Sequence, residues 1–315
     1  MTLCRANYAR TLVRLELALV AIGIAMAGCK GGDSTSPPPP PQDQWTVVAG
    51  RAWTMPGATE GYKCVGVHAT SDGYFTGFRI ASQSDVPNEV LLTVATGNVI
   101  DGPFDCGAGS LGAELIYAAS RGTTTIEFPA GFGVHVLAGQ TLLLNIHLVN
   151  TTGASATDSL GVEARIGTAT DVTTPIDMSL AGTFLINIPS DGQQHTATGQ
   201  CAAGNTHLLA ILPMMRSRAV HQAVISVVDT DSLTIFDQDF DWAHNGYTLL
   251  ATPFANPAGA NLRTVCSYIN NSGSTMTYGE SANNESCFSA VYRYPLSVGP
   301  LFSCAEGQSL DIRRE

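Results

Sequence analysis

Seven histidines, seven methionines and eight cysteines are the side chains of this 315-residue chain that could hold a metal or staple a fold. His147 closes the run Thr141-Leu142-Leu143-Leu144-Asn145-Ile146-His147, and His207 opens His207-Leu208-Leu209, with Met214 and Met215 seven and eight positions further on. Imidazole suits copper or zinc and a thioether suits Cu(I), so these positions are the metal candidates. A lone histidine in an apolar run equally reads as a hydrogen-bonded, half-buried one, and a methionine pair as core filler. His68, His135, His195, His221 and His244 show no ligand spacing and read as surface or turn residues. Asp237, Asp239 and Asp241 alternate, which places three carboxylates on one strand face, a Ca²⁺ or glycoside-chemistry pattern that a solvated strand edge in an acidic protein also produces. No Gly-x-Ser-x-Gly elbow, glycine-rich phosphate loop or His-Glu-x-x-His occurs, which removes the common hydrolase, nucleotide and zinc-protease signatures.

The elements that must position these residues read as strands. Only 13% of residues are charged and 32 are glycine, which favours a β-rich, loop-rich chain over a helical one. Strand-like runs recur at Tyr74–Ile80, Val90–Ala95, Thr141–Val149, Gly161–Ile166, Thr183–Ile188, Val220–Val228, Leu262–Ile269 and Ser289–Tyr294 between Gly/Asn/Asp turn signals. No segment carries an amphipathic helical pattern, so the expected class is all-β, built of sandwiches or jelly rolls. The length suffices for two domains with separate cores. A net charge of -11 without Lys/Arg clusters argues against a nucleic-acid partner.

Six cysteines lie beyond the N-terminal region: Cys64, Cys106, Cys201, Cys266, Cys287 and Cys304. An even number in an exported chain suggests disulfides, and the close Cys-x-x-Cys spacing of a zinc cluster is missing. A staple between the Leu262–Ile269 strand and the Glu285-Ser286-Cys287 segment is the physical reading of Cys266 and Cys287, while the remaining connectivity stays open. At the N-terminus, Arg5, Arg10 and Arg14 precede the apolar stretch Leu15–Ala27, too short to span a membrane, so residues 1–28 read as a signal peptide. Met26-Ala27-Gly28-Cys29 resembles the bacterial lipobox, which makes Cys29 the expected lipidated residue and the lipid bilayer a partner. Residues 29–44, with prolines from Pro37 to Pro41, then form a stiff spacer. The expected location is the cell envelope, with the outer membrane as the default because Lys30 follows the cysteine where an Asp would retain a lipoprotein at the inner membrane.

The stretch Asp241–Tyr294 carries the most specific pattern: Trp242, Tyr247, Cys266-x-Tyr268 followed by Asn270 and Asn271, then Gly279-Glu280, Glu285 and Cys287. It resembles the C-terminal domain of the copper type II, ascorbate-dependent monooxygenases, the family of the peptidylglycine α-hydroxylating and dopamine β-monooxygenases. The Gly139–His147 run is similar to a ligand-bearing strand of that family's first domain. The resemblance implies two tandem eight- or nine-stranded jelly rolls, at 45–172 and 173–308 with a tail at 309–315. It implies disulfides Cys64–Cys106, Cys201–Cys304 and Cys266–Cys287. It also implies two coppers, one held by a histidine pair and a third histidine, the other by His-x-His and a methionine. Here Asn88 and Glu89 stand for the pair, Asn205 for the first residue of His-x-His, and Ser286 for the methionine, so only His147 and His207 keep family ligand positions. The expected function is therefore a binding or structural role for a small-molecule, peptide or glycan ligand. The alternative is a working copper enzyme that hydroxylates a C–H bond with O₂ and ascorbate, with His147 at the electron-transfer copper and His207 at the O₂ copper.

Overall fold

The computed structural model describes residues 44–82, 87–95, 99–123, 125–296 and 301–307. The signal peptide, Cys29, the proline run and the tail 309–315 lie outside the described residues. Among the described residues there are strands and turns and no helix. The first eleven strands are β1 (Trp45–Met55), β2 (Thr59–His68), β3 (Gly73–Ala81), β4 (Pro87–Ala95), β5 (Gly102–Cys106), β6 (Glu114–Ser120), β7 (Thr125–Glu127), β8 (Gly131–Val136), β9 (Thr141–Asn150), β10 (Ala156–Gly167) and β11 (Val172–Pro175). Eleven more follow: β12 (Asp177–Thr183), β13 (Asn187–Ile188), β14 (Gln194–Ala202), β15 (His207–Met214), β16 (Ala219–Val228), β17 (Asp231–Asp239), β18 (Thr248–Ala255), β19 (Asn261–Ile269), β20 (Met276–Thr277), β21 (Cys287–Tyr294) and β22 (Cys304–Glu306).

The chain is all-β and its pairing order defines two jelly rolls. In the first half one sheet runs β1-β10-β3-β8-β11 and the other β5-β2-β9-β4-β6. In the second half the sheets run β18-β15-β21-β12-β22 and β14-β19-β16-β17. With the short strands set aside, both halves place the first, eighth, third and sixth main strands in one sheet and the second, seventh, fourth and fifth in the other, the double Greek key of a jelly roll. Among the described residues no ladder crosses from one half to the other, and Ile176 alone separates β11 from β12.

Alternation drives each strand into place. Along β10, Leu160, Val162 and Ala164 are buried while their neighbours are not, the period of a half-buried strand. The expected run Thr183–Ile188 is not one strand: β12 stops at Thr183, whose hydroxyl oxygen accepts from the Leu185 amide at 3.0 Å and turns the chain. All three implied disulfides are present, with Cα separations of 5.9 Å for Cys64–Cys106, 4.9 Å for Cys201–Cys304 and 5.8 Å for Cys266–Cys287.

The second roll has buried clusters of its own, one with Leu208, Ile211, Val224, Phe236 and Val291 and one around Ile188 and Tyr268, and a further core is shared between the rolls. One hydrophobic cluster runs from Trp53, Phe78, Tyr117 and Leu144 in the first roll to Leu180, Leu209, Phe288 and Tyr292 in the second. The physical cause is β6, the edge strand of the first roll, whose Leu115-Ile116-Tyr117-Ala118-Ala119 core is apolar on both faces and buried. Tyr292 donates its hydroxyl to Ile116 O at 2.8 Å and Tyr247 donates to Ala118 O at 2.6 Å, so second-roll tyrosines satisfy backbone groups that an edge strand leaves open.

Candidate functional site

The pleat of β9 builds the site. Leu142, Leu144, Ile146 and Leu148 face the interior of the first roll, which turns Leu143, Asn145 and His147 to the opposite side. That side is covered too, because Asn145 Nδ2 donates to Gly107 O and Ser110 O at 3.0 and 3.1 Å and a second-roll loop closes over His147. His147 is therefore 2% exposed, buried on a strand covered on both faces rather than half-buried. The register pairs it with Tyr62 on β2, whose ring stacks on the imidazole at 4.5 Å, and with Glu89 on β4. A register shift between Pro87 and Glu89 brings Asn88 to the same imidazole.

Both imidazole nitrogens are engaged. Asn88 Nδ2 donates to His147 Nδ1 at 3.1 Å, and His147 Nε2–H donates to Glu60 Oε1 at 2.7 Å, contacts that fit the neutral Nε2–H tautomer. Burial lowers the His147 pKa and outweighs the Glu60 hydrogen bond, which acts in the other direction. Glu60 itself feels burial raising its pKa, but hydrogen bonds from the Ala282 amide, His147 and Ser281 together hold it below the ordinary carboxyl value. The Ala282 amide donates to Glu60 Oε1 at 2.6 Å and Ser281 Oγ to Oε2 at 2.9 Å, so an ionised Glu60 of the first roll holds the 281–282 turn of the second. Beside it Tyr62 donates to Glu280 O at 2.7 Å.

Arg216 is the second centre of this joint. Its Nη1 donates to Gly279 O at 2.7 Å and Ser281 O at 2.5 Å, while Nη2 stands 3.8 Å from Glu89. The Arg216 and Arg218 amides donate to the fully buried Glu285 at 2.9 and 2.7 Å, yet burial pushes the Glu285 carboxyl up to about 7. Burial likewise raises Glu89 against the pull of Arg216. Between these groups lies a cleft of 60 Å³, lined by His147, Glu89, Arg216, Tyr278, Met214 and Ser286. Arg216 Nε borders it buried and without a hydrogen-bond partner among the described residues, an open donor that suits a small acceptor group.

The structure therefore brings Asn88, Glu89 and His147 together, as their alignment implied, and adds Met214 and Ser286 to the same cleft. It does not bring Asn205 and His207 to Ser286. His207 pairs with Tyr294 at one end of β21 and Met214 pairs with Phe288 at the other, about 23 Å along the strands. His207 stacks on Tyr294 at 4.6 Å. Asn205 occupies an exposed turn with φ of 60°, a left-handed conformation that asparagine tolerates, which gives it a local reason to be there. Ser286 Oγ donates to Met214 O at 3.0 Å.

The donor set does not fit the two copper centres that the resemblance implies. His147 has no free nitrogen lone pair, His207 stands apart from Ser286, and among the described residues no three His, Cys, Asp or Glu side chains are grouped to hold a metal. The remaining histidines have local partners: His68 with Thr141, His135 stacked on Tyr74, His195 with Asp191, His221 with Asp237 and His244 with Asp241. Asp237 and Asp239 lie on exposed β17, a solvated edge. Sequence reasoning missed Glu60 and Arg216. Glu60 had a usable signal, since it stands two residues before Tyr62 and so shares a face of β2 with it; Arg216 had none, because its partners come from the loop some sixty residues later.

No family model matches the chain, and no curated protein matches it. Among solved structures, the A223 turret protein of Sulfolobus turreted icosahedral virus is similar at 9% identity and a TM-score of 0.20, over 80% of this chain and 100% of that one. The Macrobrachium rosenbergii nodavirus structure is similar at 10% identity and a TM-score of 0.16, over 86% of this chain and 96% of that one. Likeness at these scores carries no structural argument.

Proposed function

We propose that this is an exported protein, lipid-anchored through Cys29 at the cell envelope, with the paired jelly rolls of the copper monooxygenases and a binding role in place of their chemistry. The observation that carries this reading is the commitment of both His147 nitrogens to Asn88 and Glu60. The residue at a family ligand position instead holds Glu60, which clasps the 281–282 turn of the second roll. Its replaced neighbours follow the same logic, since Asn88 positions the imidazole and Glu89 faces Arg216. Copper ligation needs an imidazole nitrogen with a free lone pair, and here the single histidine of the cleft has both nitrogens engaged while Ser286 donates to Met214 O.

The test is copper itself. The mature chain carrying Cys29→Ser, incubated with Cu(II) or Cu(I) and desalted, is expected to retain no stoichiometric copper by mass spectrometry of the metal and to leave ascorbate-dependent O₂ uptake at the buffer rate. Stoichiometric copper together with ascorbate-driven O₂ consumption would overturn the reading in favour of the working monooxygenase. The anchor is read separately, as the mass added at Cys29 in protein extracted from membranes.

A further inference from the structure

A second cavity lies at the end of the first roll away from the Glu60–His147 joint. The last residues of β2 and first of β9, Val67, His68 and Leu142, form one wall. The start of β1, the start of β3 and the ends of β8 and β10, with Val47, Val48, Phe75, Val136 and Ile166, form the other. The space between the two sheets measures 380 Å³, within the range of small-molecule sites, whereas the inter-roll cleft is far smaller. Apolar side chains line it, and its polar groups come from Thr46 and the β2–β3 turn, His68, Thr70 and Ser71. Thr141 Oγ1 sits 3.0 Å from His68 Nδ1, which leaves Nε2 for a ligand. Ile166, 53% exposed, holds apolar surface in water at this cavity.

The chain outside the described residues ends here. Described residues begin at Gln44, and Thr46 already lines the cavity. Fourteen residues lie between Cys29 and Gln44, a span of at most about 50 Å. A bilayer anchor at Cys29 would therefore limit how far Gln44 can stand from membrane lipid.

We propose that this cavity is an acyl-chain site, filled by one hydrocarbon chain of a lipid drawn from the membrane to which the protein is tethered, with the lipid's polar end at His68 and Thr70. The source of the lipid, though not the cavity, rests on the anchoring proposed above. Burying the hydrocarbon against Val67, Phe75, Leu142 and Ile166 supplies the driving force, and the shape of a space between two sheets selects a slender chain over a globular ligand.

The experiment uses the Cys29→Ser chain and 11-(dansylamino)undecanoic acid as the fluorescent probe, followed by transfer of a pyrene-labelled phospholipid out of vesicles. Saturable binding of one probe per chain is expected, with transfer from vesicles. About tenfold weaker binding is expected in Ile166→Glu, which sets a charge at the mouth and leaves the core untouched. Val67→Trp, which fills the space, should lose the probe while keeping the wild-type circular dichroism. No saturable binding, or binding that neither substitution changes, overturns the site. Probe binding without transfer from vesicles, or a membrane-extracted wild-type chain with no lipid mass at Cys29, overturns the membrane source, and the latter also removes the anchor.

Discussion

The fifth main strand occupies the same place in both rolls, the edge of the second sheet, and the two copies meet opposite fates. In the first roll β6 reads Glu-Leu-Ile-Tyr-Ala-Ala-Ser, and its apolar core is buried between the first roll's Phe78 and the second roll's Tyr247 and Tyr292. In the second roll β17 reads Asp-Ser-Leu-Thr-Ile-Phe-Asp-Gln-Asp and lies almost wholly in solvent. One edge is closed by tyrosine hydroxyls and the other protected by charge, two of the devices by which proteins keep strand edges from pairing with strangers. Topology fixed which strand would be the edge; side-chain chemistry fixed whether it would be covered.

The largest way to break this contrast is at Tyr292, which caps Ile116 O and packs edge-on against Phe128 at 4.6 Å. Tyr292→Ala should cost about 3–5 kcal/mol in urea denaturation, and Tyr292→Phe about 1 kcal/mol, since it removes only the hydroxyl. A phenylalanine variant as stable as wild type would show that the cap on β6 contributes nothing.

Next comes the joint that holds the second roll over the first. Glu285 has a folded pKa of about 7, above its unfolded value. The stability it contributes is complete below the unfolded value and is lost as pH rises through about 7. His147, whose folded pKa is lowered, acts in the opposite sense, gaining stability as pH rises through the ordinary histidine value. Subtracting Glu285→Gln from wild type isolates the first effect. Between about pH 5 and about pH 8 wild type should lose on the order of 2 kcal/mol relative to the variant, and a pH-independent difference would sink the assignment.

Glu60→Gln keeps the shape of the clasp on Ala282 and Ser281 while removing its charge, and should cost about 1 kcal/mol. Loss of protection at the Ala282 amide in hydrogen exchange locates the effect at the joint. The smallest change is expected at the bare edge: Asp237→Asn on β17 should alter stability by less than about 0.5 kcal/mol, while a double change to Asp237→Val and Asp239→Val should raise self-association in sedimentation.

Much of the fold was legible in the residues, and for different reasons. Alternation in Leu262–Ile269 and in the β10 residues marks strands, because side chains on a pleat must face one side or the other. Of the disulfide pairs, Cys266–Cys287 followed from the strands beside it, while Cys64–Cys106 and Cys201–Cys304 came only from the resemblance. Thr183–Ile188 misled, since a β-rich composition does not reveal a hydroxyl that turns the chain. At the site, Asn88, Glu89 and His147 were placed together from sequence, whereas Ser286 was matched to His207 although the strand between them keeps them apart.

By itself the sequence determined an all-β chain, most of its strands and its acidic balance, all of which are properties of residue type and local period. Only tertiary structure decided that β9 would be covered on both faces, that Glu60 would claim His147, and that β6 and β17 would end so differently. Those outcomes depend on which surface arrives opposite a residue from far along the chain, 87 positions away for Glu60 and His147 and 176 for Tyr292 and Ile116, and neither period nor propensity carries that information.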